Sequence, residues 1–317
     1  MRYKIRFLWV TDPWHLLDHK LDTTLRLAEE AVIAGMKCYW CDVRSIRLVN
    51  RKVLINACHL GINHEELHQR QAKPMVVSDF DSIQYRTDPP IDLAYLHPLQ
   101  LLVLGVAGSK TQIVNPPGIL FSFNEKTIGT MLGNLAPPTA VSSKAEVLLS
   151  FGRNEQKTVA KPLHKAQSKE VRLLSWTTKE NQNSSLAILA KMTSNFSRPV
   201  LLQRYLDEIS NGEQRLWFID GKLLAYARKM PLKGDFRVDI DRGSRLLAST
   251  LNKKDLKAAD RIGKFLRDME IRMAAVDLVG GYVTDFNFTS PGLIRQMEEA
   301  LDLNLAKPII KSLAKLV

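Results

Sequence analysis

The chain has 317 residues, 45% of them hydrophobic and 25% charged, and carries a net charge of +12. Its size exceeds the usual single domain, and its composition excludes a disordered or fibrous chain. No window reaches the roughly 18 continuous apolar residues that a membrane span needs. The first apolar run, residues 7–10, is too short for a secretory signal. Three cysteines, Cys38, Cys41 and Cys58, are too few for a disulfide framework, so a soluble, cytoplasmic protein with free thiols is expected. The positive charge favours anionic partners. No Lys/Arg run exceeds three residues and no aromatic-interleaved signature occurs, so neither nucleic acid nor membrane is an expected partner.

Residues 3–10 predict a buried strand, broken at Asp12-Pro13. Asp22-Thr23-Thr24 caps a helix with Leu25, Ala28, Ala31 and Val32 on one face, closed by Gly35, and residues 37–43 form the next strand. This strand–helix–strand opening predicts an α/β sheet. Residues 46–49 and 53–55 predict a hairpin over Asn50-Arg51, and residues 56–79 a polar, unpatterned excursion. A strand at 82–86 ends before Pro89-Pro90, a helix covers 93–106, and a strand at 111–114 stops at Asn115-Pro116-Pro117.

From Asn124 the pattern changes. A helix to about Gly133 is expected, then strands at 139–142, 158–161 and 171–176 and a helix at 184–192. Three strands follow at 200–205, 214–219 and 223–228, with a polar loop over 231–248. Leu256, Ala259, Ile262, Phe265, Leu266 and Met269 mark a strong helix. Residues 273–279 and 282–288 form a hairpin over Gly280-Gly281, and one or two helices end the chain. The expected division is an N-terminal α/β domain at 1–121, a small α+β lid at 122–198 and a C-terminal lobe at 199–317.

Asp285 and Asn287 share one strand face, and Asp277 joins them if it pairs with Asp285. That register requires a bulge, which Gly280 or Gly281 can supply within an odd-numbered loop. Two carboxylates and an amide oxygen suit Mg²⁺ holding nucleotide phosphates, although a solvated hairpin face fits the spacing equally well. Lys126 and Lys161 form a second constellation; Lys161, followed by Pro162, sits where a strand ends at a sheet edge. His64-Glu65-Glu66-Leu67-His68 matches a two-histidine zinc helix but lacks apolar periodicity around it. Cys38 and Cys41 fall within a strand, where buried thiols are the expected reading.

Taken in order, the motifs resemble bacterial glutathione synthetase, of the ATP-grasp superfamily, over the whole chain. They include Thr11-Asp12-Pro13, Tyr85-Arg86-Thr87-Asp88-Pro89-Pro90, Asn124-Glu125-Lys126, Ala160-Lys161-Pro162-Leu163, Val276-Asp277-Leu278-Val279-Gly280 and Thr284-Asp285-Phe286-Asn287. The resemblance implies an ATP-grasp fold behind a Rossmann-like N-terminal domain, and an ATP-dependent carboxylate–amine ligase working through an acyl phosphate. It implies γ-glutamylcysteine and glycine as small-molecule substrates, ATP and Mg²⁺ (or Mn²⁺) as cofactors, and a homo-oligomer. Lys126 and Lys161 would contact the phosphates, and Gln203, Arg204, Tyr205 and Leu206 would border the adenine. Asp277, Asp285 and Asn287 would hold the metal, and Arg215 and Arg237 would steady the acyl phosphate. The chain departs from the family pattern in the glycine-poor stretch 164–169, the altered stretch 238–244, and Asp285 standing for a glutamate. A ligase for another carboxylate and amine, or a non-catalytic nucleotide binder, is the alternative.

Overall fold

In the computed structural model, which describes residues 5–64, 66–163, 170–238, 240 and 243–316, the alternation of β1 (Arg6–Thr11) sets the burial of the first sheet. Phe7 and Trp9 enter one core and Leu8 and Val10 another, so the strand is buried on both faces. α1 (Thr23–Ile33) covers the first face with Leu27, Ala28 and Ala31. Asp22 caps it, its Oδ1 accepting from the Leu25 N–H at 2.8 Å. β2 (Lys37–Asp42) then pairs parallel with β1.

The stretch expected to be an unpatterned excursion is instead sheet. β3 (Arg47–Val49), β4 (Lys52–Asn63), β5 (Glu66–Gln69) and β6 (Lys73–Val76) all pair through the long strand β4. Its alternation was hidden because it changes phase: Val53, Ile55 and Ala57 enter one core, then Cys58 and Leu60 the other. β7 (Ser82–Tyr85), α2 (Leu93–Val106), β8 (Gln112–Val114) and the short α3 (Pro117–Ser122) complete the domain. Strands β2, β1, β7 and β8 lie side by side and parallel, the arrangement expected of a Rossmann-like unit.

Residues 128–135 form a 3-10 helix that Gly133, at φ 61°, breaks, rather than the continuous helix the sequence suggested. The lid consists of β9 (Thr139–Ser142), α4 (Ala145–Glu155), β10 (Lys157–Pro162), β11 (Arg172–Ser175), α5 (Lys179–Met192) and β12 (Val200–Arg204). Helix α4 was not anticipated. The strand order is β11-β10-β12-β9, so β12, expected in the C-terminal lobe, is the lid's own. We propose to extend the lid through Leu206, since the backbone of Arg204 and Tyr205 still bonds to Pro138 and Lys157.

The last lobe orders β15 (Arg245–Leu247), β14 (Lys222–Met230), β13 (Glu213–Ile219), β16 (Met273–Val279) and β17 (Tyr282–Asn287) side by side. β15 lies inside the stretch expected to be loop. α6 (Lys253–Asp268) packs on one face through Ala258, Ala259, Ile262 and Leu266. α7 (Ile294–Leu301) and α8 (Ala306–Leu313) pack on the other.

The N- and C-terminal lobes share two continuous cores, whereas the lid has a third of its own around Leu148, Trp176, Leu189 and Leu202. Asn115 stitches the shared lobes together. Its Nδ2 donates to the carbonyls of Met273 and Phe288, and its Oδ1 accepts from the N–H groups of Arg272 and Met273. All its hydrogen-bonding capacity is thereby used inside the interface. No helix of the described residues is long and apolar enough to cross a membrane.

Candidate functional site

The hairpin β16–β17 carries the carboxylates. Asp277 does pair with Asp285, and Ala275 with Asn287, but the device that achieves this is not the glycine loop. Gly280 and Gly281 form a plain two-residue turn, both at positive φ (56° and 79°), where two left-handed residues match the strand twist. The extra residue is Thr284: pairing passes from Asp277 with Asp285 to Leu278 with Val283. Its carbonyl, freed from the ladder, accepts from Lys161 Nζ at 2.7 Å.

Asp277 is 2% exposed and held by two cations. Arg215, opposite it on β13, donates Nε to Oδ1 at 2.9 Å and Nη2 to Oδ2 at 2.6 Å; Lys229 Nζ donates to Oδ2 at 3.0 Å. Lys229 also pairs with Glu213. Burial works against the Asp277 charge, but Arg215 and Lys229 outweigh it and hold its pKa far below the usual carboxylate range. Lys229 was missed in the sequence. It stands on β14 opposite Glu213, on the same inward face as Ala227, and is 4% exposed, a placement that only the strand register reveals.

Lys126 Nζ donates to both oxygens of Asp285, at 3.0 and 3.3 Å. Burial opposes both charges, but each carries the other: the Lys126 pKa is raised and that of Asp285 lowered. Neighbouring Glu125 is spent on structure, its Oε1 accepting from Phe288 N, Thr289 N and Thr289 Oγ1. Lys161 differs from the other cations here. Among the described residues its ammonium meets only neutral acceptors, Gln203 Oε1 at 3.0 Å and Thr284 O, and burial pushes its pKa down. Nor does Lys161 end its strand: pairing with β12 continues to Pro162, while pairing with β11 stops at Ala160. The missing N–H of Pro162 is therefore harmless.

These groups line one cavity of about 850 Å³ between the lid, the C-terminal lobe and the N-terminal domain. Gln203 and Leu206 face it, with Val159, Val171 and Ile209 as apolar wall. Tyr205 is fixed by Lys157 Nζ 3.8 Å above its ring and by the edge of Phe236. Arg204 also borders the cavity, but its Nε is bonded to Glu155 Oε2 at 2.5 Å on the exposed side. In a strand, neighbours face opposite ways, so Gln203 and Arg204 cannot both point inward. Arg237 reaches the wall clasped by Asp235, at 3.0 Å from Nε and 2.8 Å from Nη2; that hydrogen bonding pulls the Asp235 carboxyl down to about 2. The stretch 164–169, and Asp239, Asp241 and Arg242 of the stretch 238–244, lie outside the described residues.

The donor chemistry fits a hard divalent cation at Asp285 and Asn287. Asn287 donates Nδ2 to the Ala275 carbonyl at 3.1 Å, which leaves its Oδ1 as the free acceptor. Asp277 shares their face; its oxygens are engaged by Arg215 and Lys229, as those of Asp285 are by Lys126. Among the described residues, no three His, Cys, Asp or Glu side chains converge as a metal centre. The two-histidine motif is not one: it spans the turn between β4 and β5, with His64 at φ 47° and His68 in strand.

Cys38 and Cys41, three apart in β2, point into opposite cores. Burial pushes the Cys38 thiol up to about 12, and that of Cys41 higher still. Both are expected to resist iodoacetamide at pH 8 in the folded protein and to react once urea unfolds it; labelling of either without unfolding would contradict this burial.

Two family descriptions match the chain in sequence. Prokaryotic glutathione synthetase, N-terminal domain, covers residues 5–120, and the ATP-grasp domain of the same family covers residues 125–302. Glutathione synthetase of Pseudomonas aeruginosa is 27% identical over 98% of each chain, and that of Coxiella burnetii 28% over 92% of this chain and 90% of its own. Among solved structures, the D-cycloserine synthetase DcsG is similar in fold, with a TM-score of 0.68 at 16% identity over 98% of this chain and all of its own. The ATP-grasp ligase PsnB gives 0.66 at 15% identity over 99% of this chain and all of its own. Matched in both domains and folded as ATP-grasp ligases are, the chain belongs to the prokaryotic glutathione synthetase family and is an ATP-dependent ligase that forms amide bonds.

Proposed function

We propose that the protein joins γ-glutamylcysteine to glycine, with ATP phosphorylating the cysteinyl carboxylate and the glycine amine displacing phosphate from the resulting acyl phosphate. The observation that supports this most directly is Lys161, a half-buried ammonium whose hydrogen bonds among the described residues reach only neutral acceptors, at the wall of the cavity. A desolvated cation with no anion in hydrogen-bonding contact is costly, and a nucleotide phosphate supplies that contact. Lys126, bonded to Asp285, meets the transferred phosphoryl, and Arg215, bonded to Asp277, adds fixed positive charge. Asp285 and Asn287, with Asp277 on the same face, are the oxygens that would hold Mg²⁺ or Mn²⁺; bound there, the ion neutralises phosphate charge. Gln203, Tyr205 and Leu206 border the adenine, and Arg237 steadies the acyl phosphate or a substrate carboxylate. The working form we propose is a cytoplasmic homo-oligomer acting on small molecules. The buried free thiols suit a reducing compartment, and the oligomer rests on the resemblance.

Incubation with Mg-ATP, γ-glutamylcysteine and glycine is expected to give the tripeptide by mass spectrometry and one phosphate per product. Absence of tripeptide and phosphate at any tested concentration would remove the proposed substrate pair.

A further inference from the structure

The lid sheet carries a polar row that crosses three strands. Pairing sets Val159 of β10 opposite Gln203 of β12, and Gln203 opposite Thr139 of β9. Directly opposed residues share a sheet face, and so do residues two apart, so Lys161, Gln203 and Thr139 stand on one side. Their neighbours Ala160 and Leu202 turn the other way, into the lid's own core. Lys161 and Gln203 line the cavity; Thr139 does not, and stands on the edge strand behind Gln203.

The row is joined end to end. Lys161 Nζ donates to Gln203 Oε1 at 3.0 Å, Gln203 Nε2 donates to Thr139 Oγ1 at 3.3 Å, and Thr139 Oγ1 donates to the Pro137 carbonyl at 2.8 Å. A hydroxyl has a single hydrogen to give. That of Thr139 is spent on Pro137, so toward Gln203 it can only accept. The amide is thereby fixed with its NH₂ toward Thr139 and its oxygen toward Lys161. The other acceptor of the ammonium, the Thr284 carbonyl, belongs to the C-terminal lobe, so among the described residues Gln203 is the hydrogen-bond partner that the lid itself provides. An amide turned over would set N–H groups against an ammonium that already has Lys126 as a like-charged neighbour. Gln203 is 6% exposed, so little water is at hand to satisfy a misplaced amide.

We propose that Thr139 is a positioning residue for nucleotide binding: through Gln203, its hydroxyl aims the Lys161 ammonium at the place of the phosphates. The inference rests on the reading of Lys161 as a phosphate contact. Placement decides what such a cation contributes, since a charge-assisted hydrogen bond to a phosphate oxygen forms over a narrow range of about 2.7–2.9 Å. Thr139 acts without touching the ligand. The pairing of β9 with β12 runs through backbone groups, so a valine at 139, equal in shape, leaves the sheet in place and removes only the hydroxyl.

The test is calorimetric binding of Mg-ADP to the protein and its variants. Lys161→Met is expected to weaken binding by about 10–100-fold, as loss of a hydrogen bond to a charged group predicts. Thr139→Val should weaken it about fivefold or more, and Thr139→Ser, which keeps the hydroxyl, should lie within about twofold of the wild type. The deciding variant combines Thr139→Val with Lys161→Met: once the ammonium is gone, loss of the hydroxyl should add less than about twofold. Thr139→Ala serves in the same comparison should the valine variant fail to fold. A threonine with a purely structural role would weaken binding equally with and without Lys161, and that result would overturn the inference. Unchanged affinity in Lys161→Met would remove the phosphate reading, and the relay with it. Weakened binding in Lys161→Met beside wild-type affinity in Thr139→Val would remove the relay alone and leave the phosphate reading standing.

Discussion

Lys161→Met is expected to cut phosphate release and tripeptide formation by about 10²–10³-fold, the usual effect of removing one fixed charge from a developing anion. The same substitution should leave the melting temperature unchanged or raise it. Among the described residues the Lys161 ammonium has only Gln203 Oε1 and the Thr284 carbonyl as hydrogen-bond partners, and burial depresses its pKa, so its charge is a cost to folding rather than a support. Methionine keeps the length and apolar character of the stem. Activity lost with stability held is the signature of a group whose partner arrives with the nucleotide. Binding of Mg-ADP should stabilise the wild type more than the variant in thermal unfolding, because stabilisation by a ligand grows with the logarithm of its affinity for the folded state. Activity retained in Lys161→Met would remove the assignment of the phosphate site.

The N-terminal sheet was legible because its strands carry the simple patterns. Phe7 to Val10 is a continuous apolar run, as a parallel strand buried on both faces requires, and Asp22 caps α1 as its residue type predicts. The stretch 56–79 was not legible, because β4 changes phase between Ala57 and Cys58, and a period-2 pattern broken in the middle reads as no pattern. Helix α4 was passed over for another reason: Leu148 and Gly152 are its only fully buried residues, so its apolar stripe is narrow. At the site, the sequence places Asp285 and Asn287 on one face, with Asp277 joining them only on condition of an extra residue in the hairpin. Sequence could not say where that residue sits, because two glycines in the turn offered an equally good place and Thr284 gives no local signal. The consequence is chemical, since a bulge at Thr284 frees the carbonyl that Lys161 uses. The partners of Asp277 were beyond reach for the same reason: Arg215 and Lys229 meet it only through strand registers on two further strands.

Asp277→Asn tests that network in the absence of any ligand. The wild-type carboxylate accepts two hydrogen bonds from Arg215 and one from Lys229 in a site that is 2% exposed. Asparagine keeps the shape and removes the charge, leaving two buried cations with Glu213 as their remaining carboxylate. Breaking one side of such a pair costs about 3–5 kcal/mol, because the stranded charge remains desolvated. Denaturant unfolding at pH 7 should show that loss as a lower midpoint with an unchanged slope. The dependence on pH has a definite sign. The folded-state pKa of Asp277 lies below its unfolded value, so its contribution is complete above the unfolded value, about 3.9, and is lost as pH falls through the lowered one. Asp285 has the same sign; Glu125 and Glu213, raised by burial, have the opposite one and favour the fold only when protonated. These latter groups are common to both proteins and cancel in the comparison to the extent that the substitution leaves them unchanged. The stability gap between wild type and Asp277→Asn should therefore stay constant from about pH 8 to pH 5 and narrow only below about pH 4. A gap that closed near pH 6 would mean that Asp277 is protonated in the folded protein and that Arg215 and Lys229 do not hold it.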